Sequence, residues 1–269
     1  MELQQQKDEF ANAGIEVFAI SYDRQDAQAA FAEQHDIDYH MLADEDSAVI
    51  KQYGILNTLI AEDEGVYGIP FPGSYLVDEA GLVEEKFFHR EYQIRETGST
   101  VLRSGFGAAF DLSDVPCVEV EGDAKITATL GGASLASMQR GDLYVRIELD
   151  EGLHVNGPKV PDGFFATEVT VTAPEGVRVG ETMYPQTTPF KIEGIDEQFD
   201  VFEGGVEVSV SLISTLREGE TLPLEIAVQY QACNDRECFL PQQQTLHLDV
   251  PTGRLNMPRA YLGRAERRK

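Results

Sequence analysis

The spacing of apolar residues changes near residue 123, and this change limits the possible fold more than any other feature. Beyond it, apolar residues recur at every second position, as in a strand with one buried face. The alternation is clearest at residues 143–149, 168–172 and 206–212. Further strands are predicted at residues 125–130, at 190–192 and on both sides of the last two cysteines, about seven in all between Gly/Pro turns. Residues 124–252 therefore predict an all-β sandwich of the immunoglobulin type.

Residues 1–103 have a different pattern, in which helical and strand-like segments alternate. Residues 15–21 are almost continuously apolar, which is typical of a buried strand in a parallel sheet. A helix is predicted at residues 23–35, and residues 74–77 and 82–88 predict a hairpin. The first 103 residues are thus expected to form an α/β domain. The Gly-containing residues 104–123 are expected to form a linker, and 253–269 a basic tail.

The charge of the chain excludes several classes of function. It has 47 acidic and 21 basic residues, and six of the basic ones fall within the last seventeen positions. So acidic a body is expected to repel nucleic acid and anionic lipid, and solubility or adaptation to high salt explains it best. No segment reaches the ~18 apolar residues that a membrane-spanning helix needs. The first residues do not resemble a secretory signal, and three cysteines do not fix the compartment.

Cys233 and Cys238 are the most informative residues for function, because they bracket four polar residues at the end of a strong strand pattern. A hairpin-like connection can bring such a pair within bonding distance. The spacing is too wide for a Cys-x-x-Cys redox turn, and no nearby histidines or second cysteine pair complete a zinc site. As a staple, a loop of about six residues adds only roughly 2 kcal/mol, against ~4.7 for a 100-residue loop. Redox exchange and a plain structural staple both remain open.

Other candidate sites have weaker support from the sequence. His35, Asp38 and His40 are metal-ligand types, but a helix end and a strand start need not converge, so no metal is expected. Gly105-Phe106-Gly107 lacks the strand-turn-helix context of a dinucleotide site, and no cofactor is expected. Cys117 is a possible extra thiol for resolving a mixed disulfide, although a buried, unreactive cysteine is the favoured interpretation.

The first half resembles the redoxin family, the AhpC/TSA-like peroxiredoxins and thiol oxidoreductases with a thioredoxin fold. The residues that carry the resemblance are 14–21, 53–55 and 68–78, the last reading GIPFPGSYLVD. The resemblance implies that Pro72, after Phe71, is the cis-proline that positions a thiol substrate. It also implies a nucleophilic cysteine at the start of the helix that ends here near Ala13. No cysteine precedes Cys117, so this nucleophile is missing and an N-terminally truncated, incomplete domain is expected.

The second half resembles the N-terminal domain of the thiol:disulfide interchange protein DsbD. The matching motifs are residues 152–156 (GLHVN), Tyr184-Pro185 and residues 230–241 (YQACNDRECFLP). The resemblance implies that Cys233 and Cys238 pass electrons to thioredoxin-fold or other thiol/disulfide partners, in an extracytoplasmic compartment. It also implies an aromatic cap over the pair. The sequence does not place that cap, and Phe239 is the nearest aromatic residue.

The two resemblances predict a thiol-disulfide oxidoreductase, with an antioxidant or disulfide-exchange role. Its redox pair would lie in the sandwich, and its redoxin half would lack the nucleophile. The alternative is a non-catalytic binding or docking protein with a structural disulfide.

Overall fold

A computed structural model describes residues 2–89, 91, 93–106, 115–191, 198–234 and 236–253 of the chain. The chain divides into two compact units, Met1–Ala109 and Phe110–Lys269. Among the described residues, no helix has the length and apolar character needed to cross a membrane.

The first unit is an α/β assembly of short elements. In chain order these are α1 (Glu2–Gln5), α2 (Lys7–Asn12), β1 (Phe18–Ser21), α3 (Gln25–Gln34), β2 (His40–Ala43), α4 (Ala48–Gln52), β3 (Gly73–Val77), β4 (Val83–Phe88), β5 (Arg95–Glu96) and α5 (Gly98–Phe106). Strands β1 and β2 pair in parallel, and β3 and β4 form the predicted antiparallel hairpin.

Strand β1 is less buried than its apolar sequence predicts. Phe18 is 55% exposed, and its ring stacks on His40. The contact between α3 and the strands is partly polar, because the buried Gln28 amide donates to Ser21 Oγ at 2.8 Å and to the Leu42 carbonyl at 2.9 Å. The expectation of a buried strand at residues 15–21 is therefore wrong for the described structure, in which β1 pairs with β2 alone.

The second unit consists of strands. They are β6 (Cys117–Glu121), β7 (Lys125–Leu130), β8 (Gln139–Glu148), β9 (His154–Asn156), β10 (Glu168–Thr172), β11 (Val177–Met183), β12 (Thr188–Lys191), β13 (Gln198–Glu203), β14 (Gly205–Ser214), β15 (Thr221–Tyr230), β16 (Ala232–Cys233) and β17 (Gln242–Pro251). Their sheet orders are β10-β15-β17, β11-β14-β8-β7-β6 and β12-β13-β9-β16.

The predicted alternation forms the core of this unit. In β14 and β15 every second residue is buried, and all of those in β15, with Val206, Val208 and Leu212 of β14, join one cluster with apolar side chains from the other sheets. Val155 of β9 and Phe202 of β13 belong to that cluster, so one face of the four-stranded sheet packs on the core. Burying a Leu, Ile or Val side chain stabilises the fold by roughly 1.5–3 kcal/mol.

One part of the predicted linker belongs to the sandwich. Residues Cys117–Glu121 form β6, which pairs with β7 at the edge of its sheet. Val118 and Val120 pack against the core cluster, and this contact makes the short segment a strand. The predicted linker 104–123 is therefore wrong for residues 117–121. Residues 107–114, and 254–269 of the predicted tail, lie outside the described residues.

Candidate active site

Cys233 and Cys238 form a disulfide across a tight hairpin, as their spacing allows. Their Cα atoms are 4.0 Å apart, and the two residues face each other as an antiparallel bridge. On one side of the pair, the Phe239 amide donates to the Ala232 carbonyl at 2.8 Å. The pair therefore occupies a position where opposed side chains approach most closely.

The turn of the hairpin is held by its first residue. The Asn234 amide donates to the Glu237 carbonyl at 3.0 Å. Its side-chain oxygen accepts from the backbone amides of Arg236 and Glu237, at 2.8 and 2.9 Å. Asn side chains commonly close turns in this way. The backbone thus brings the two sulfurs together with hydrogen bonds on both sides of them.

The two cysteines differ in their exposure to solvent. Cys233 is fully buried, whereas Cys238 is partly exposed. The next two residues are more open, with Phe239 39% and Leu240 81% exposed. An external thiolate can therefore approach the sulfur of Cys238, while Cys233 faces the protein interior.

Cys233 lies beside a buried histidine in the neighbouring strand. Strands β9 and β16 pair so that His154 is opposite Cys233 and Val155 is opposite Ala232. Val155 faces the core, so His154 and Cys233 lie together on the other face of the sheet. The His154 ring is 4.2 Å, centroid to centroid, from the ring of Phe190.

A buried amide links this hairpin to the loop after β9. Gln231 Oε1 accepts from the Phe165 amide at 3.2 Å and from Asn156 Nδ2 at 3.4 Å. Gln231 Nε2 donates to the Phe239 carbonyl at 2.9 Å. The same Asn156 amide donates to the Phe165 carbonyl at 2.9 Å. Gln231 therefore fixes the residue next to Cys238.

Replacing Gln231 with Ala is expected to destabilise the second unit by about 2 kcal/mol, because a part-buried backbone donor and a part-buried backbone acceptor lose their partners. The measurement is denaturant unfolding of the oxidised protein. Gln243→Ala, at an exposed position of β17, is the control and should change stability by less than about 0.5 kcal/mol. Equal effects of the two changes would contradict the structural role of Gln231.

Phe71 and Pro72 lie in the first unit, apart in sequence and in domain from the cysteine pair. Among the described residues no peptide bond is cis, so the predicted cis-proline at Pro72 is wrong for this structure. The trans form is the intrinsically preferred one by about 0.5–1 kcal/mol, and surrounding contacts decide the isomer. Here the Phe71 amide donates to the Ile55 carbonyl at 2.7 Å, next to the bridge between Leu56 and Pro70.

Phe71 also lines a groove of about 400 Å³ with the rings of Tyr53, Tyr75 and Phe88. The rings of Tyr53 and Tyr75 meet edge-on with centroids 5.5 Å apart. Lys86 and His89 supply polar groups at its wall. The positioning role expected of Phe71 and Pro72 remains a prediction.

Cys117 is a free and exposed thiol, not the buried cysteine that the sequence favoured. It begins edge strand β6, and the Thr129 hydroxyl lies 3.3 Å from its sulfur. An edge strand leaves one side of its first residue open to solvent, which explains the exposure. Its role as a resolving thiol remains a prediction.

Tyr184, from the second motif, has a structural position. Its hydroxyl accepts from the Val169 amide at 3.1 Å, and Thr182 Oγ1 donates to the Val169 carbonyl at 2.8 Å. Burial raises the pKa of Tyr184, so the phenol stays protonated at neutral pH. These contacts join β10 to the end of β11.

The candidate metal ligands of the first unit contact other side chains. His40 Nε2 lies 3.0 Å from Glu16 Oε1, and Lys7 forms an ion pair with Asp38. Within the described ranges, no three His, Cys, Asp or Glu side chains cluster as metal ligands do.

The sequence singled out residues 152–156 and Gln231 only as parts of motifs and gave them no role. In the structure, the pairing of β9 with β16 places His154 opposite Cys233. The Gln231 side chain donates a hydrogen bond to the Phe239 carbonyl. Phe190, predicted only as part of a strand, covers the histidine.

The fold and site define the class of protein: a thioredoxin-like α/β unit followed by an immunoglobulin-like sandwich that carries a disulfide hairpin. The predicted fold class is thereby confirmed. Residues 1–86 match the AhpC/TSA family, and residues 131–250 match the family "Thiol:disulfide interchange protein DsbD, N-terminal". The chain therefore joins a segment similar to the AhpC/TSA family to a segment similar to the DsbD N-terminal domain. Both families support a thiol-disulfide oxidoreductase or exchange role.

Known proteins resemble each half separately. Peroxiredoxin Bcp of Escherichia coli K12 is 30% identical over 89 residues, which cover 32% of this chain and 54% of that protein. The N-terminal periplasmic domain of ScsB from Proteus mirabilis aligns with a TM-score of 0.37 and 18% identity, covering 49% of each chain. The reduced DsbD N-terminal domain of Neisseria meningitidis aligns with a TM-score of 0.30 and 14% identity, over 52% of this chain and 86% of that one. The chain spans about half the length of the curated relatives it matches.

Proposed function

We propose that the second unit exchanges electrons between the Cys233–Cys238 pair and the dithiols of thioredoxin-fold partners. The observation that carries the proposal is the unequal exposure of the two cysteines, Cys233 fully buried and Cys238 partly exposed beside exposed Phe239. The match of residues 131–250 to the DsbD N-terminal family supports it. A staple needs neither an accessible sulfur nor this asymmetry.

Exchange begins at Cys238, because its sulfur is the accessible one. A partner thiolate attacks Cys238 Sγ, and a mixed disulfide forms between partner and Cys238. The Cys233–Cys238 bond breaks, and its electron pair leaves on Cys233 Sγ, which takes up a proton. Cys233 is thus the leaving group inside the protein.

The second step completes the transfer. The partner's other thiolate attacks the partner sulfur of the mixed disulfide, and Cys238 leaves as a thiolate that is then protonated. The partner ends as a disulfide and the pair as two thiols, so two electrons and two protons have moved. The reverse reaction delivers electrons to an oxidised partner by the same steps. No cofactor is needed.

In this proposal the first unit does no redox chemistry of its own, because no cysteine precedes Cys117 in the sequence. Its proposed role is to hold a partner.

The test is redox equilibration of the full chain carrying Cys117→Ser, against glutathione and against thioredoxin, read by mass spectrometry after alkylation. The expected potential of the pair lies between about −270 and −120 mV, the range of thioredoxin-like partners. A potential well below about −300 mV, without reaction with thioredoxin, would contradict exchange. The absence of a cysteine from the redoxin half would then favour the second candidate function, a docking protein with a structural disulfide.

A further inference from the structure

Three side chains lie in register across the four-stranded sheet at the disulfide. Glu203 of β13 is opposite His154 of β9, and His154 is opposite Cys233 of β16. Directly opposed residues of antiparallel strands project to the same face, with Cβ atoms about 4.5–5.5 Å apart. The imidazole of His154 is therefore the side-chain neighbour of the Cys233 sulfur on this face.

The histidine and the sulfur are enclosed together. Cys233 is fully buried and His154 is 4% exposed, with the Phe190 ring against the imidazole. Val155, between His154 and Asn156, faces the opposite way into the core. Water is largely excluded from the place where the Cys233 thiolate forms during exchange. A thiolate in such a place is destabilised unless a cation compensates it.

We propose that His154 is a catalytic residue that, as an imidazolium, stabilises the Cys233 thiolate and supplies its proton. This inference rests on the proposed function and extends it to the leaving group. When a partner thiolate attacks Cys238, the electron pair of the broken S–S bond goes to Cys233 Sγ. The imidazolium proton then passes to that sulfur and leaves a neutral imidazole. Histidinium groups beside cysteines lower the pKa of the thiol, and a leaving thiol of lower pKa departs faster.

Charged side chains around the site determine the electrostatic potential at the imidazole of His154. Glu203, on the same face, favours the imidazolium because an adjacent carboxylate stabilises a cation. The other charged groups on described elements near β9 and the hairpin include Lys191, Asp200, Arg236 and Glu237, which are exposed, and Glu207, which binds Arg146.

The test compares His154→Gln with wild type in the full chain carrying Cys117→Ser. The rate of reduction of the pair by dithiothreitol is measured from about pH 5 to 9 and divided by the concentration of attacking thiolate. In wild type this corrected rate should rise as pH falls through the titration of His154, because the imidazolium assists the leaving sulfur. In His154→Gln it should not depend on pH and should be about tenfold lower at the acid end.

The matched control is His247→Gln, which removes an exposed histidine on β17 and should leave the wild-type profile unchanged. A purely structural role would lower thermal stability without removing the pH dependence, so unfolding of the oxidised variants is measured in parallel. Identical pH profiles for wild type and His154→Gln would overturn the inference. Failure of wild type to react with thioredoxin would instead overturn the proposed function.

A measurement on wild type keeps the inference testable if the variant does not fold. The histidine ring signals are titrated by NMR in the oxidised and the reduced protein. The pKa of His154 should be higher in the reduced protein, where a thiol or thiolate replaces the disulfide sulfur beside it. An unchanged pKa would overturn the inference.

Discussion

Cys233→Ser is expected to leave a chain that couples rapidly to a thioredoxin-fold partner, whereas Cys238→Ser leaves one that couples at least about tenfold more slowly. The reason is access, since Cys238 is partly exposed and Cys233 is fully buried. The partner is a thioredoxin whose resolving cysteine is serine and whose remaining thiol is activated as a thionitrobenzoate disulfide. Coupling releases one thionitrobenzoate for each mixed disulfide, which is read by absorbance, and the product is confirmed by mass spectrometry.

Both variants should carry Cys117→Ser, because the exposed Cys117 thiol would otherwise react in either background. Each serine should cost about 2 kcal/mol of stability or less, since the closed loop is short. Denaturant unfolding of the two variants therefore serves as the control for folding. Equal coupling rates from two folded variants would contradict Cys238 as the attacked sulfur.

Hydrogen peroxide should be turned over only at background rate by this chain with a dithiol donor, despite the match of residues 1–86 to the AhpC/TSA family. Peroxide reduction needs an activated thiolate, which helix N-termini or nearby cations provide. No cysteine lies in residues 1–116 of the sequence. The measurement is peroxide consumption under steady-state conditions.

Two variants identify the source of any residual rate. Cys117→Ser removes the exposed thiol of β6, and the double change Cys233→Ser, Cys238→Ser removes the pair. A high rate that survives Cys117→Ser would show that the pair itself reduces peroxide, contrary to this expectation.

The sandwich could be predicted from the sequence because its signal is local. Every second residue of β14 and β15 is buried, and the same residues are apolar in the sequence. The hairpin at Cys233 and Cys238 was likewise predicted, since its two strands and four-residue connection are contiguous. Edge strand β6 was missed because a single short alternation, Val118 and Val120, also suits a linker.

The surroundings of the disulfide could not be predicted, because they depend on register between distant segments. Period-two alternation shows which residues share a face of one strand, but it does not show which strand lies beside it. The pairing of His154 with Cys233 joins β9 to β16, with most of the sandwich between them in sequence. The trans bond between Phe71 and Pro72 was not predicted for a related reason. The isomer of such a bond is decided by surrounding contacts and not by the two residues that it joins.

The hydrogen bonds that flank the two cysteines also shape the reduced form of the hairpin. The Phe239 amide binds the Ala232 carbonyl and the Asn234 amide binds the Glu237 carbonyl, and neither bond involves sulfur. The thiols therefore stay face to face after the S–S bond is broken, and each has a high effective molarity for the other. A pair preorganised in this way recloses readily. We therefore expect the reduced pair to give electrons to an oxidised partner more easily than the oxidised pair takes them up.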